Sequence, residues 1–277
     1  MEMRKSKSIP TFILLVILAV LFIAPVFVVL INSFKGQFYI SDAPFSLPNA
    51  LTFSGLTNYL NGIEKTGFFT AFLYSLFVTV GSVLLLTLGA SMTSWYLIRA
   101  KNKVSTLLYY LFVFSMIVPF QMVMFTMSKI ANILNLDNPL GLIILYLGFG
   151  AGLSIFIFSG FVKAIPLEIE EAAVVDGCNP IKMFFSVIFP ILRPTAVTVA
   201  ILNTMWIWND YLLPYLTVGN DYKTIPIAIQ YLQGGYGARD MGALMAMLVL
   251  AIIPIIAFYI ICQKYIIRGV VAGAVKG

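Results

Sequence analysis

Histidine is absent from this 277-residue sequence. That removes imidazole metal ligands, haem-ligating histidines and histidine general bases in one step. The two cysteines, Cys178 and Cys262, stand far apart and form no CxxC pair, which argues against a disulfide framework and against zinc. No GxxxxGK[ST] string occurs, so the chain has no phosphate-cradling P-loop. If ATP drives this protein, another polypeptide binds the nucleotide. Charge is scarce as well. Only 10% of residues are charged, where a soluble domain averages about 25%.

What is there is apolar. The chain is 61% hydrophobic with a mean hydropathy of +0.99, which places it among polytopic membrane proteins. Its net charge of +6 comes without a dense basic tract. Lys and Arg at the cytoplasmic ends of spans give the same balance, and no nucleic-acid partner is expected.

Six segments are long enough to cross a bilayer, which takes roughly 20 apolar residues. They run over about 11–33, 70–98, 104–127, 139–162, 194–216 and 242–265. Arg4, Lys5 and Lys7 precede the first. It is longer than a signal-peptide core of about 7–15 residues and is followed by no A-x-A-like site, so it reads as an uncleaved span. Placing the N-terminus inside puts twelve of the 17 Lys and Arg on the cytoplasmic side and leaves Lys35, Lys65, Lys129, Lys223 and Arg239 outside. The positive-inside rule favours that sense, with both termini cytoplasmic. The segment from Phe34 to Phe69 then lies on the outer surface.

The loop Lys163–Arg193 is the longest cytoplasmic segment and the only one with several acids: Glu168, Glu170, Glu171 and Asp176. Pro166 suits a first helical position. The glutamates fall in the first turns, where the helix dipole favours carboxylates. Gly177 suits the left-handed residue that stops a helix. The spacing predicts a helix over Leu167–Asp176 with Ile169, Ala172, Ala173 and Asp176 on one shallow face. So short a helix is marginal alone and needs support from its own chain or a partner. Ile181–Phe189 reads as an amphipathic stretch on the inner surface leading into span five. On composition alone, the loop reads equally well as an acidic helix solvated at that surface.

The string Glu171-Ala172-Ala173, then Asp176-Gly177, then Phe189-Pro190-Ile191-Leu192-Arg193-Pro194 resembles the EAA loop of the permease subunits of bacterial ATP-binding-cassette (ABC) importers. Trp206-Ile207-Trp208-Asn209-Asp210-Tyr211-Leu212-Leu213-Pro214 is similar to the oligosaccharide branch, the maltose-permease G-type subunits. The resemblance implies an all-α fold, a single permease domain over 1–277, six transmembrane helices in the type I importer arrangement, and a cytoplasmic coupling helix. It assigns coupling to an ATPase to Glu171, Ala172, Ala173, Asp176 and Gly177. It also implies the partners: a second permease, two ATPase subunits carrying ATP and magnesium, and an extracellular or periplasmic sugar-binding protein, all at a bacterial plasma membrane. No cofactor or metal is expected on this chain, and no catalysis.

Two further groups carry open readings. Trp206, Trp208, Asn209, Asp210 and Tyr211 either line a sugar pathway, where ring faces stack on sugar C–H surfaces, or anchor the outer end of span five at the membrane interface. The outer loop with Gln230, Gln233, Gly234, Gly235 and Tyr236 matches by resemblance a loop that reaches into the binding protein, or it is a plain connector. Gly81, Gly89, Gly148, Gly150 and Gly152 suit close helix contacts, with Gly148 and Gly152 as a small-xxx-small pair. The alternative function is a self-contained channel or ion-coupled carrier. That class wants several intramembrane ionisable groups, and Asp210 alone is thin support.

Overall fold

The computed structural model describes residues 8–233 and 240–274. Among these residues every regular element is helical, and the one β feature is an isolated bridge between Lys35 and Phe53. The chain divides into two compact units, Met1–Phe69 with Ala228–Pro254 and Thr70–Ile227 with Ile255–Gly277.

The first unit begins with α1 (Ser8–Asn32), whose most apolar window is entirely unburied. Its side chains suit lipid or a protein surface outside this chain. The segment after it is a folded cap rather than a loop, built from α2 (Gln37–Asp42) and α3 (Thr57–Thr66). Asn58 is buried, and its amide donates to the Ser33 and Lys35 carbonyls, each at 2.8 Å. Lys35 is 0% exposed, with Nζ donating to the Ala43 carbonyl at 2.8 Å and Ser46 Oγ at 3.3 Å. Burial holds its ammonium below the ordinary lysine pKa.

The last helix starts in the same unit. In α13 (Met241–Ala274), a Cβ at Gly242 would stand 2.5 Å from Asn58 Oδ1, and one at Gly62 would stand 2.7 Å from Met247 Cε. Glycine thus lets α3 and the start of α13 approach closely. Lys65 Nζ and Asp240 Oδ2, 2.5 Å apart, close the same junction.

The second unit is a helical bundle. It is built from α4 (Phe68–Ala100), α5 (Lys103–Ser115), α6 (Phe120–Ile133), α7 (Pro139–Val162), α8 (Leu167–Val175), α9 (Pro180–Met183) and α10 (Phe189–Asn209). The short α11 (Leu212–Thr217) follows, and α12 (Ile225–Gln230) begins here and continues into the first unit at Ala228. Two buried clusters hold it. One gathers Leu97, Phe158, Val162, Phe184, Ile188 and Leu192, and the other Val78, Leu86, Leu142, Tyr146, Ile207 and Leu213. At 33 residues, α4 is about 50 Å long, longer than a hydrocarbon core of about 30 Å requires.

Among the described residues, five helices are long and apolar enough to span, or six if the bent pair α5 and α6 counts as one span. The expected third span, 104–127, is not one helix: α5 and α6 meet at a bend of 105°. Pro119 causes the break, sitting extended (ψ 133°) ahead of α6 with no N–H to continue α5. The expected fifth span, 194–216, is also displaced. One helical run extends from Pro180 to Asn209, and the chain then turns extended at Asp210. Phe184–Ile188 within this run is π-helical, the Phe189 N–H reaching back five residues to the Phe184 carbonyl. Pro190 follows directly and donates no hydrogen bond, which accounts for the local loosening. Ile181–Phe189 is therefore the first part of the long helix, with Met183, Phe184 and Ile188 turned into the core.

The glycine pair expected in span four divides. A Cβ at Gly152 would lie 2.6 Å from the Phe112 carbonyl oxygen of α5, whereas one at Gly148 meets open space. Gly150 faces Leu86 and Asn203, and Gly81 faces Ile143. Gly89 has no neighbour of this kind.

Candidate functional site

The acidic loop folds as α8, with Pro166 as its extended N-cap (ψ 138°) and Glu168 and Glu170 in the first turn. Its C-terminus forms a Schellman motif. Gly177 takes φ +77°, its N–H bonds the Val174 carbonyl at 2.9 Å, and the Cys178 N–H bonds the Ala173 carbonyl at 2.9 Å. Asp176 is the C-cap, one residue short of the expected helical end.

The faces of α8 differ from the expected assignment. Ala173 is buried against Leu97, Phe184 and their neighbours and does not share an open face with Ile169 and Ala172. Large apolar side chains dominate the inside of that cluster, and a methyl group fits where the helix lies closest. Glu171, Ala172, Asp176 and Gly177 are exposed, and Val175 is 87% exposed. The outward face therefore mixes a carboxylate with uncovered valines.

The span-five residues do not point one way. Trp208 is buried with its ring edge-on to Phe72 at 5.9 Å. Trp206 is 40% exposed and perpendicular to Tyr146 at 5.4 Å. Asn209 is exposed, and its amide donates to the Met205 carbonyl at 2.7 Å. Tyr211 stacks on Tyr215 at 5.1 Å. Asp210 uses both carboxylate oxygens internally: Oδ2 accepts from the Tyr146 hydroxyl at 3.0 Å and Oδ1 from the Leu212 N–H at 3.0 Å. Gln230 ends α12, and Tyr231–Gln233 forms a single 3₁₀ turn. Gly234, Gly235 and Tyr236 lie outside the described residues, as do Arg4, Lys5, Lys7, Arg239 and Lys276.

Residues 85–272, more than half of the chain, match the family of binding-protein-dependent transport system inner membrane components. The chain belongs to this family. It is an ABC transporter permease, a multi-pass membrane subunit of a transport system. It is 37% identical to the probable starch degradation products transport system permease protein AmyC of Thermoanaerobacterium thermosulfurigenes, over 99% of this chain and 100% of that one. It is 34% identical to the multiple sugar-binding transport system permease protein MsmG of Streptococcus mutans, again over 99% and 100%. The crystal structure of a bacterial ABC transporter involved in the import of the acidic polysaccharide alginate contains a chain with the same fold. That match has a TM-score of 0.76 at 20% identity and covers 96% of this chain and 98% of that one. The fold is thus the type I importer permease fold.

One feature of this permease was missed in the sequence. Glu170 reads there as another solvated acid, yet it is only 7% exposed. Its Oε1 accepts from Arg99 Nε at 2.8 Å and lies 2.7 Å from Arg99 Nη2. Its Oε2 accepts from the Trp95 indole N–H at 3.0 Å. Trp95 and Arg99 stand four apart on α4, on one helix face. That spacing at the end of a span was the available signal.

Proposed function

We propose that this chain is the permease subunit of an ATP-driven oligosaccharide importer and that α8 is its coupling helix. In this reading Lys163–Arg193 is cytoplasmic, as are both termini. The chain pairs with a second permease to form the path. Two ATPase subunits bind ATP and magnesium, and α8 lies in a groove of one of them. Closure of the ATPases moves α8, and the bundle turns between inward- and outward-facing arrangements. Packed helices suit that role because they shift between discrete arrangements. A sugar-binding protein delivers substrate to the outer face, where the loop 230–236 is the proposed contact.

The observation that carries the reading is the two-sided character of α8. Glu170 and Ala173 fix it to its own chain, while Glu171, Val174 and Val175 lie uncovered. Val174 and Val175 lie exposed beside Glu171 on the side of α8 turned away from its own chain, which suits a partner surface. The sugar class is supported by the relatives, whose names include starch degradation products, multiple sugars, and melibiose, raffinose and stachyose. The ion-coupled carrier rests on Asp210 alone, where that class wants several intramembrane ionisable groups, and both oxygens of Asp210 already accept from Tyr146 and Leu212. Glu171→Lys tests the docking. The purified complex is expected to lose its ATPase subunits while the permease remains folded. Retention of ATPases at the parent ratio would reject α8 as the docking element.

A further inference from the structure

We propose that Arg99, Glu170 and Trp95 are positioning residues that clamp the coupling helix to the end of span two, so that α8 and α4 move as one body. This rests on the reading of α8 as the ATPase-docking helix. The argument begins with length. At nine residues α8 is too short to persist on its own in water. The Schellman turn ends it but does not orient it. Orientation comes from Glu170, both of whose carboxylate oxygens are taken from α4: Oε1 by the Arg99 guanidinium and Oε2 by the Trp95 indole.

Arg99 does more than pair a charge. Its Nη2 also donates at 2.9 Å to the carbonyl of Ile165, in the turn that enters α8. One guanidinium therefore holds both the turn and the first helical residues. A planar fork of donors suits this, and an ammonium does not. Trp95 adds a third connection, since its ring packs at 5.8 Å against Phe184, the first residue of the π-helical stretch. The helix after α8 is thus tied to Trp95, one of the two α4 side chains that hold Glu170.

Burial makes the clamp stiff. The side chains of Arg99 and Glu170 are 19% and 10% exposed, so water does not readily replace either partner. Removing one leaves a charge without compensation. A displacement of α8 is then passed to α4 at a fixed angle. The outward acid, Glu171, is free for the ATPase because its neighbour Glu170 is the one that holds the helix.

The test uses the full chain in lipid nanodiscs, then the assembled complex. Spin labels go on Tyr96→Cys in α4 and Val175→Cys in α8, both exposed, with Cys178 and Cys262 changed to Ser. The parent is expected to give one narrow distance distribution. Glu170→Gln, Arg99→Lys and the milder Trp95→Phe, which keeps a ring but loses the indole donor, are each expected to broaden it. In the complex these variants should retain their ATPase subunits and hydrolyse ATP. Uptake of a radiolabelled mixture of maltotriose, raffinose and diacetylchitobiose per ATP hydrolysed should fall about tenfold, within the usual range for a lost coupling between two sites.

Narrow distributions in all three variants would overturn the clamp. So would loss of the ATPase subunits alongside uptake, as expected for Glu171→Lys, because the pair would then serve only to form the helix. Should Glu171→Lys itself keep its ATPases, the docking reading fails, while the nanodisc distances still judge the clamp.

Discussion

Tyr146 is fully buried and donates its hydroxyl hydrogen to Asp210 Oδ2 at 3.0 Å. The bond ties the middle of α7 to the residue where the long fifth helix ends and the chain turns into α11. Asp210 caps that turn through the Leu212 N–H. Both contacts give Asp210 a packing role, and we expect that role, rather than sugar binding, to set the phenotype of its variants. Tyr146→Phe should lower the unfolding free energy by about 1.5–3 kcal/mol, the range for a lost hydrogen bond to a charged group. Asp210→Asn should leave the KM for uptake unchanged. A thermal unfolding series in detergent and an uptake assay check the two halves. A raised KM for Asp210→Asn would restore the pathway reading.

Gly177→Ala is expected to weaken α8 without any clash, because a Cβ there meets nothing within 4 Å. The cost is the left-handed conformation, about 1–2 kcal/mol for a residue with a side chain. Gly177→Asn should be milder, since Asn tolerates that region. Recovery of ATPase subunits with the purified permease should rank parent, then Asn, then Ala. Equal recovery across the three would mean that the Schellman turn plays no part in docking.

The glycines of α7 offer an internal control. Gly152→Ala drives a methyl into the Phe112 carbonyl oxygen, a backbone atom 2.6 Å away, and should cost about 1–3 kcal/mol through overpacking. Gly148→Ala faces open space and should be neutral or slightly stabilising, as Ala replaces Gly in a helix. Melting temperatures of the two variants measure the difference.

At the junction of α3 and α13, burial would raise the Asp240 pKa, but the Lys65 hydrogen bond, the Ala243 N–H and the Lys65 charge outweigh it. The carboxyl therefore sits below its ordinary value of 3.8. A depressed carboxylate stabilises the folded state fully above its unfolded pKa and loses that contribution as pH falls through the lowered folded value. The stability gap between the parent and Asp240→Asn should be constant from neutral pH down to about pH 5 and shrink in stronger acid. Lys65 is half exposed, so the gap should be modest and should narrow with added salt.

Hydropathy alone located four of the five long spans and the second half of the one over 180–209, because a bilayer demands long apolar runs whatever they pack against. It was blind to the break after Ser115, since Met116-Ile117-Val118 is as apolar as a helix interior and only Pro119 signals the bend. The end of the fifth helix at Asn209 was hidden for a similar reason: the apolar string resumes at once with Leu212. The bounds of α8 were legible, since Pro166, the early glutamates and Gly177 are local signals that act within one turn. What could not be read was which acid faces inward. Glu170 and Glu171 are adjacent and chemically alike, and only the neighbours supplied by α4 separate them.

The outward face of α8 is the proposed docking surface for an ATPase. Site-specific photocrosslinking in native membranes tests it most directly, with a benzophenone amino acid placed singly at Glu171, Val175, Ala173 and Glu170. ATPase adducts are expected from Glu171 and Val175 and none from the buried Ala173 and Glu170. Adducts absent from Glu171 and Val175, in membranes where the ATPase is present and active, would contradict it.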